Sequence, residues 1–298
     1  MVNANLPHPA TDVRARPIAP ADHTAVAELL NKGFGLRRGA AFWRHVLDRL
    51  HRRSLPADLP NYGYLLESGR RPVGVILLIA AMPRTGAGPE AMRCNVSSWY
   101  VEPAFRGYAS FLTSRALHCK TATYLNVSPA PNTEPILEAQ GWMRYSDGLF
   151  IAAPALQRRA AGGVVARLMP ADRVPPAACE DFERDLLARH AGYGCLAFWC
   201  ATAQRAYPFV FRRRFARGIM PCAQLIYCRE VADVARFAGL IGRHLLMRGC
   251  PLVVIDAKGR VPGLVGRYVG GLLPKYFKGG APPRLGDLAD TEAAMFGV

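Results

Sequence analysis

A bound anion could be held where a strand-like segment leads into a helix-like segment at Arg106 and Gly107. Residues 95–101 have the composition of a strand, and Pro103 ends it. The first N–H groups of a helix have no partner inside the helix, and its dipole is positive there. Gly107 has no side chain to block a phosphate, and Arg106 offers a charged, forked donor. We therefore predict an anion cradle of unpaired amides in this turn.

The elements around this turn alternate between strands and helices. Apolar periodicity, Asp22 and Asn132 as N-caps, and glycine or proline breaks indicate the order β-α-α-β-β-β-α-β-α-β. The predicted segments are 13–18, 22–32, 40–53, 62–67, 73–81, 95–101, 106–120, 121–128, 132–141 and an extended segment from 142, with a loop at 83–89. An antiparallel meander followed by a β-α-β unit is typical of an α+β fold with a mixed sheet.

The second half of the chain repeats part of this pattern. We predict a loose tail at 1–12, a first domain at 13–152, a boundary rich in Ala, Arg, Gly and Pro at 153–176, and a second α/β domain at 177–298. The second domain has helical patterns at 181–190 and 231–247 and strand patterns at 222–228 and 252–256. A degenerate internal duplication is a hypothesis that this recurrence suggests, although no residue-level repeat accompanies it.

The composition is typical of a globular protein. Of the 298 residues, 51% are hydrophobic and 20% are charged, unlike a disordered chain. The longest apolar stretch, Val73 to Met82, has about half the length of a membrane span. The N-terminus has no secretory apolar segment. We predict a cytoplasmic protein without a membrane partner, in which the eight cysteines are buried free thiols.

The formal net charge of +16 favours anionic partners. A nucleotide cofactor, a nucleic acid and an acidic lipid all fit this charge. The run Tyr207–Phe215 interleaves aromatic rings with arginines and could stack on a nucleic acid. Because the run is short, an amphipathic element at a domain interface is the favoured interpretation.

Two further groups of residues carry weaker signals. A zinc site built from His190, Cys195 and Cys200 is disfavoured, because these spacings do not match those of known zinc motifs. The segment Lys275–Lys278 lies in sequence rich in Pro and Gly, which predicts a C-terminal loop. We therefore predict no metal site.

Two motifs, in the expected order, resemble those of the GNAT superfamily of acetyltransferases. Val101-Glu-Pro-Ala-Phe-Arg-Gly107 is similar to the family's Val-x-Pro-x-aromatic-Arg-Gly signature. The segment from Leu125 through Asn132 to Gly141-Trp142 is similar to the family's strand, Asn and short helix ending in Gly-aromatic. The resemblance covers roughly residues 13–150. It implies a GNAT-like acyl-CoA N-acyltransferase fold, followed by a second, degenerate GNAT-like domain.

The resemblance also implies a site. Acetyl-CoA or another acyl-CoA would be the co-substrate, with its pantetheine arm along the strand and its pyrophosphate at the turn. The implied cofactor-binding residues are Tyr100, Val101, Arg106, Gly107, Tyr108, Ala109, Ser110 and Asn132.

The sequence departs from the family pattern at three positions. Ala109 stands where Gly is usual, and Phe111 where Gly or Ala is usual, so Phe111 implies a shifted helix contact. Leu137 occupies the place where many members carry a Tyr that protonates the leaving thiolate. Either another group supplies this proton, or the domain binds coenzyme A without turnover.

Acylation of an amine from a thioester needs a held donor, N–H groups for the carbonyl oxygen and a base for the incoming ammonium. By analogy with the family, the N–H groups near Tyr100 and Val101 would serve the oxygen. Glu102 is the only carboxylate on this strand and is the candidate base, while Tyr100 or Tyr108 is the candidate acid. The structural alternatives are a solvated glutamate before a proline and packed aromatic rings.

Three functions are consistent with these observations. The first is an acyl-CoA-dependent acyltransferase that moves an acyl group, most simply acetyl, to an unidentified amine by direct attack, with a homodimer as a hypothesis for its oligomeric state. The second is a module of the same fold that binds coenzyme A without catalysis. The third, suggested by charge alone, is a basic protein associated with nucleic acid.

Overall fold

The computed structural model describes residues 12–35, 38–53, 55, 60–81, 92–157, 165–175, 177–216, 218–280 and 282–296. The chain forms two compact units, of which the first comprises Met1–Met82 with Met92–Tyr124 and the second includes Leu125–Val298. In the described part of the chain, no helix is long and apolar enough to cross a bilayer. The predicted loop at 83–89 lies outside the described residues.

The first unit is built on an antiparallel meander. Its strands are β1 (Val13–Pro17), β2 (Gly63–Ser68), β3 (Arg71–Ala81), β4 (Arg93–Val101) and the start of β5 (Thr123–Asn126). Its helices are α1 (His23–Phe34), α2 (Gly39–His51) and α3 (Ala109–Ala116). β1 pairs with β2, β2 with β3 and β3 with β4, each antiparallel.

β3 forms the centre of the first unit's core. Its residues from Val75 to Leu77 are 0% exposed, as its almost wholly apolar sequence predicts for a central strand. The two long helices contribute Leu30 and Leu47, which are also 0% exposed. Burying each such leucine stabilises the fold by about 2 kcal/mol.

The second unit contains most of the remaining elements. Its helices are α4 (Glu134–Ala139), α5 (Asp181–Gly192), α6 (Val231–Arg236), α7 (Ala238–Leu246) and α8 (Glu292–Met295). Its strands are β6 (Met143–Ala152), β7 (Arg167–Pro170), β8 (Leu196–Ala201), β9 (Ala206–Ala216), β10 (Met220–Tyr227), β11 (Leu252–Ala257) and β12 (Gly266–Lys278). They lie in the order β12-β6-β11-β10-β9-β8-β7. β10 and β11 run parallel and the other neighbours antiparallel, which confirms the predicted α+β class with a mixed sheet.

The same order of elements occurs twice along the chain. In the first half, β1 is followed by α1 and α2, then by β2 to β4, α3 and β5. In the second half, β7 is followed by α5, then by β8 to β10, α6 and α7, and β11. Four strands pair antiparallel in succession in each series. This recurrence accords with the hypothesis of an internal duplication.

The compact units divide the chain at a different place from the predicted 153–176 boundary. β6 pairs with both β11 and β12, so its contacts lie within the second unit. The assignment of domains at 13–152 and 177–298 therefore stays a prediction.

Three predicted helices differ from the structure. The predicted helix at 106–120 is a 3-10 helix, Pro103–Tyr108, followed by α3. The predicted helix at 231–247 consists of α6 and α7, which are separated at Phe237. Asn132 is not an N-cap, because it lies inside the 3-10 turn Pro131–Thr133 that precedes α4. Pro103 and Pro131 each stand at the first position of these 3-10 turns, where the fixed φ of proline favours a helical start.

The predicted C-terminal loop at 275–278 is wrong, because these residues belong to β12. Lys275 pairs with Ser146 of β6, and Tyr276 is 0% exposed. The strand register shifts between Gly270 and Lys275, where Gly271 and Leu273 have positive φ values. The glycines and proline of this segment therefore bend the strand at an irregularity rather than end it.

The cysteines agree with the prediction of free thiols. Cys119 and Cys179 are half-buried and the other six are buried, at positions 94, 195, 200, 222, 228 and 250. Burial raises the pKa of the Cys94 thiol to about 12, so this group stays protonated at neutral pH.

Candidate active site at the end of β4

β4 carries an extra residue near its end. Val75 of β3 lies opposite Tyr100 and Leu77 lies opposite Ser97, so a step of two residues on β3 matches a step of three on β4. Ser98 has a φ of 46°, in the left-handed region that few residues other than glycine adopt. These features define a β-bulge that leaves Ser98 and Trp99 outside the ladder with β3. Bulges re-aim backbone groups and are frequent next to active sites.

Tyr100 follows the bulge and packs against α1. A β-carbon built on Gly33 would lie 2.9 Å from Tyr100 Cβ and closer still to its ring, so only glycine fits at this helix position. Gly33 follows directly on the helix predicted at 22–32, but it lies inside α1 and makes room for the tyrosine. Among the described residues, no group hydrogen-bonds to the Tyr100 hydroxyl, which leaves it available to a ligand.

Glu102 is held between two cations. Lys32 Nζ and Arg71 Nη1 each lie 2.8 Å from one of its carboxylate oxygens, and the residue is 8% exposed. Burial by itself would raise the pKa of Glu102, but the hydrogen bonds from Lys32 and Arg71 outweigh it and hold this pKa below its usual value. A lowered pKa makes a carboxylate a weaker base. The geometry thus favours a structural role that ties α1 and β3 to the end of β4.

The turn after β4 is exposed, but some of its backbone N–H groups make hydrogen bonds within the turn, which differs from our prediction. Residues Pro103–Tyr108 form a 3-10 helix, in which the Phe105 N–H donates to Glu102 O at 2.9 Å and the Ala109 N–H to Arg106 O. The prediction of a row of unpaired amides is therefore wrong for Phe105 and Ala109, whose N–H groups are satisfied by 3-10 bonds between residues i and i+3. These short-range bonds have poorer geometry than α-helical ones.

The side chains of this turn remain suited to an anion. Arg106 is exposed, and no carboxylate in the described part of the chain pairs with its guanidinium. The space where Gly107 would carry a β-carbon is empty to 4 Å. Tyr108 is 39% exposed, Ser110 is exposed and Ala109 is half-buried. The described residues thus present a cationic, accessible turn at the end of the bulged strand.

Phe111 lies on the outer side of α3. Its ring is 37% exposed and is covered by the guanidinium of Arg115, 5.6 Å from the ring centroid. The buried residues of this helix are Leu112, Thr113 and Ala116. Phe111 therefore does not belong to the packing face of α3, and the predicted shift of the helix contact stays a prediction.

The structure groups most of the predicted site residues in the first unit. Tyr100, Val101 and Glu102 end β4, and the residues 106–110 follow directly in the turn. Asn132 belongs to the second unit, where it is exposed. Leu137, also in the second unit, is 5% exposed and has no proton to donate.

The alternative sites receive little support from the geometry. Over the described residues, no group of three or more His, Cys, Asp or Glu side chains could hold a metal ion. His190 is 0% exposed, its Nδ1 bonds to Leu186 O, and its Nε2 accepts from the Asp290 N–H. In the Tyr207–Phe215 run, Phe209 and Phe211 are 0% exposed and cannot stack on a base.

Comparisons with known proteins bear on the fold. No protein-family model matches the chain, and no curated protein matches its sequence. A GCN5-related N-acetyltransferase from Anabaena variabilis matches with 10% identity and a TM-score of 0.55, over 90% of this chain and 72% of that one. Eis1 from Mycobacterium abscessus matches with 13% identity and a TM-score of 0.53, over 93% and 74%. A provisionally assigned acetyltransferase from Pyrococcus horikoshii matches with 10% identity and a TM-score of 0.55, over 97% and 96%.

These identities are too low to transfer an activity, but the structural matches extend over most of the chain. The chain has the GNAT fold, as the two sequence motifs predict.

Proposed function

We propose that this GNAT-fold chain is an acyltransferase that moves an acyl group from a coenzyme A thioester to an amine. The amine nitrogen attacks the thioester carbonyl, the carbon–sulfur bond breaks, and the leaving thiolate takes up a proton. The observation that carries the proposal is the bulge at Ser98, directly before the exposed turn with Arg106 and Gly107. Backbone N–H groups released from a ladder can stabilise the negative charge that develops on an attacked carbonyl oxygen.

The side chains of the turn would hold the pyrophosphate of the thioester donor. Arg106, which pairs with no carboxylate among the described residues, supplies a guanidinium for a charge-assisted, forked contact, and Ser110 supplies an exposed hydroxyl. The amides of Phe105 and Ala109 would take part only after their i to i+3 bonds open. In this proposal, the side chains of the turn contact the pyrophosphate directly, and the backbone amides contact it only after their 3-10 bonds have opened.

The proton for the leaving thiolate would come from Tyr100. Its hydroxyl makes no hydrogen bond within the described residues, and Leu137 is apolar. Glu102 would position the end of β4 through its two ion pairs. The base for the incoming ammonium stays unassigned.

A second candidate function is binding of coenzyme A without turnover. It is favoured by the lowered pKa of Glu102, which makes the carboxylate at the end of β4 a weaker base. In either case, the recurring order of elements supports a second, degenerate GNAT-like copy in the second half.

Titration calorimetry of the full chain with acetyl-CoA tests the proposal. A Gly107→Glu variant places bulk and negative charge in the empty space of the turn, and we expect no measurable binding. Gly192→Glu is the matched control, since the space at Gly192 is also empty to 4 Å and lies on α5. Undiminished affinity of Gly107→Glu would refute the site.

Release of free thiol from acetyl-CoA separates the two candidate functions. With a panel of amines, the wild type should release thiol, and Tyr100→Phe should lower kcat while it leaves the Kd of acetyl-CoA unchanged. Binding without thiol release from any amine favours the non-catalytic function.

A further inference from the structure

A cavity in the second unit lies at the carboxyl ends of the parallel strands β10 and β11. Its volume of about 350 Å³ is within the range of small-molecule sites. Apolar side chains form most of its wall, namely Val231, Ala232, Val261, Pro262 and Leu285. Ligands of open sheets with parallel strands bind at this edge, where the chain leaves one strand for a helix.

A buried carboxylate also lines this cavity. Asp256, the second-last residue of β11, lines the cavity and is 6% exposed. Lys275 Nζ of β12 lies 2.7 Å from its Oδ1. Lys275 is itself 1% exposed and also donates to Leu273 O at 3.4 Å. Within the part of the chain that the structure describes, no donor reaches Asp256 Oδ2.

This arrangement is unusual for a purely structural ion pair. Burying a carboxylate is costly unless its remaining lone pairs are satisfied by hydrogen bonds. Lys275 forms an ion pair with Oδ1 but, within the described residues, no hydrogen bond reaches this buried oxygen, and Oδ2 belongs to the same side chain, which lines a mostly apolar cavity. Asp256 is therefore a held acceptor for an N–H or O–H group of a ligand.

Two cations complete the lining. Lys258 and Arg260 follow Asp256 along the chain, are exposed, and line the same cavity. No carboxylate among the described residues pairs with either side chain. The lining thus carries more positive than negative charge, which favours a ligand with an anionic group.

We propose that this cavity binds a small carboxylate that bears a hydrogen-bond donor on its second carbon and an apolar chain, as 2-amino and 2-hydroxy acids do. The carboxylate contacts Lys258 or Arg260, the donor group contacts Asp256 Oδ2, and the apolar chain packs on Val231 and Leu285. The residues that line this cavity all belong to the second unit, and the proposed binding requires no coenzyme A.

Four probes of similar size separate these contributions in calorimetry or ligand-observed NMR with the full chain. L-leucine and 2-hydroxy-4-methylpentanoate have both polar groups, 4-methylpentanoate lacks the donor, and 3-methylbutylamine lacks the carboxylate. We expect at least one of the first two to bind at least tenfold more tightly than either of the last two. The better of the first two probes identifies the donor as an ammonium or a hydroxyl group.

Three sets of variants test whether the probes bind in this cavity. Ala232→Trp fills the cavity from an exposed position without touching the ion pair, and we expect it to abolish binding; Leu246→Trp, at an exposed position of α7, is its control. Lys258→Ala with Arg260→Ala should weaken binding at least tenfold, whereas Lys120→Ala with Arg213→Ala removes the same charge elsewhere and should not. Asp256→Asn should abolish the advantage of the donor-bearing probes, provided that its unfolding curve shows a folded chain.

Any one of three results would overturn the proposal. The first is that neither L-leucine nor 2-hydroxy-4-methylpentanoate binds at millimolar concentration. The second is that 4-methylpentanoate binds as tightly as they do, and the third is that Ala232→Trp leaves their affinity unchanged. Because all measurements omit coenzyme A, their failure is distinct from failure of the acyltransferase proposal.

Discussion

The ring of Tyr100 lies so close to Gly33 of α1 that no larger residue fits there without movement. Glycine inside a helix is less stable than alanine by about 0.5–1 kcal/mol, so its place in α1 calls for a reason. The close approach of the tyrosine supplies one. Since Tyr100 directly follows the bulge of β4, the position of α1 determines how the end of the bulged strand is oriented.

We expect Gly33→Ala to destabilise the fold, although alanine favours a helix. The added β-carbon would overlap the Tyr100 ring, and overpacking of this kind lowers the free energy of unfolding by about 1–3 kcal/mol. Urea unfolding followed by circular dichroism measures this change. The same variant should weaken acetyl-CoA binding, because the displaced tyrosine belongs to the proposed site.

A Tyr100→Ala background provides the control. Without the ring, only the contact of 2.9 Å with the β-carbon of residue 100 is left, so Gly33→Ala should destabilise the fold less than it does in the wild type. If Gly33→Ala has the same effect with and without the tyrosine, the two residues do not contact each other as described.

Glu102→Gln should lower stability at neutral pH by about 1–2 kcal/mol, because it removes the charge that Lys32 and Arg71 share. Since the folded-state pKa of Glu102 is depressed, its contribution is full above the ordinary value of 4.5 and is lost as the pH falls through the lowered pKa. Wild type and variant should therefore converge in stability as the pH falls from 4.5 through this lowered pKa. Urea midpoints measured from pH 7 to pH 3 check this.

Activity distinguishes the two roles of Glu102. A positioning role predicts a partial loss of thiol release with a rise in KM for acetyl-CoA, and no loss of the pH optimum. Disappearance of turnover at unchanged affinity would instead identify Glu102 as the base. Glu138→Gln, which removes a carboxylate paired with Arg144 in the second unit, serves as the control.

The GNAT fold could be predicted because local sequence signals carry it. The apolar run of β3, the Pro103 break and the Arg106-Gly107 step indicate a meander that leads into a strand–helix–strand unit. Each of these signals depends on residues that are close together in the chain. The fold and the location of the candidate turn followed from them.

The parts that the sequence did not predict depend on partners far along the chain. The bulge at Ser98 is defined by how β3 and β4 pair, and no residue type near Ser98 indicates that β4 carries an extra residue. Gly33 is visible as a glycine in a helical pattern, but its partner Tyr100 is not. Likewise, Lys275 lies in sequence rich in turn residues, and its burial depends on pairing of β12 with β6 and on Asp256.

His244 should make stability depend on pH in a defined window. Burial and, to a lesser extent, Arg248 lower the pKa of His244 to about 4, and its ring lies 4.6 Å from that of Phe198. Between the ordinary value of 6.5 and 4, the unfolded chain binds a proton that the folded chain does not, so stability falls as the pH decreases through this range. His244→Gln should flatten this part of the curve of unfolding free energy against pH. An unchanged slope would contradict the burial of this imidazole.

Gly239 and Gly242 offer a matched pair on α7. A β-carbon at Gly242 would stand 2.5 Å from the carbonyl carbon of Pro154 and 2.6 Å from Ala155 Cα, whereas one at Gly239 would meet only the flexible end of Arg243 at 3.5 Å and Gln157 O at 3.6 Å. Both alanine substitutions gain the same helix propensity, about 0.5–1 kcal/mol. We therefore expect Gly239→Ala to raise the midpoint of urea unfolding and Gly242→Ala to lower it, by about 1–3 kcal/mol in free energy. A shift of both variants in the same direction by the same amount would mean that α7 does not pack on the turn at 154–156.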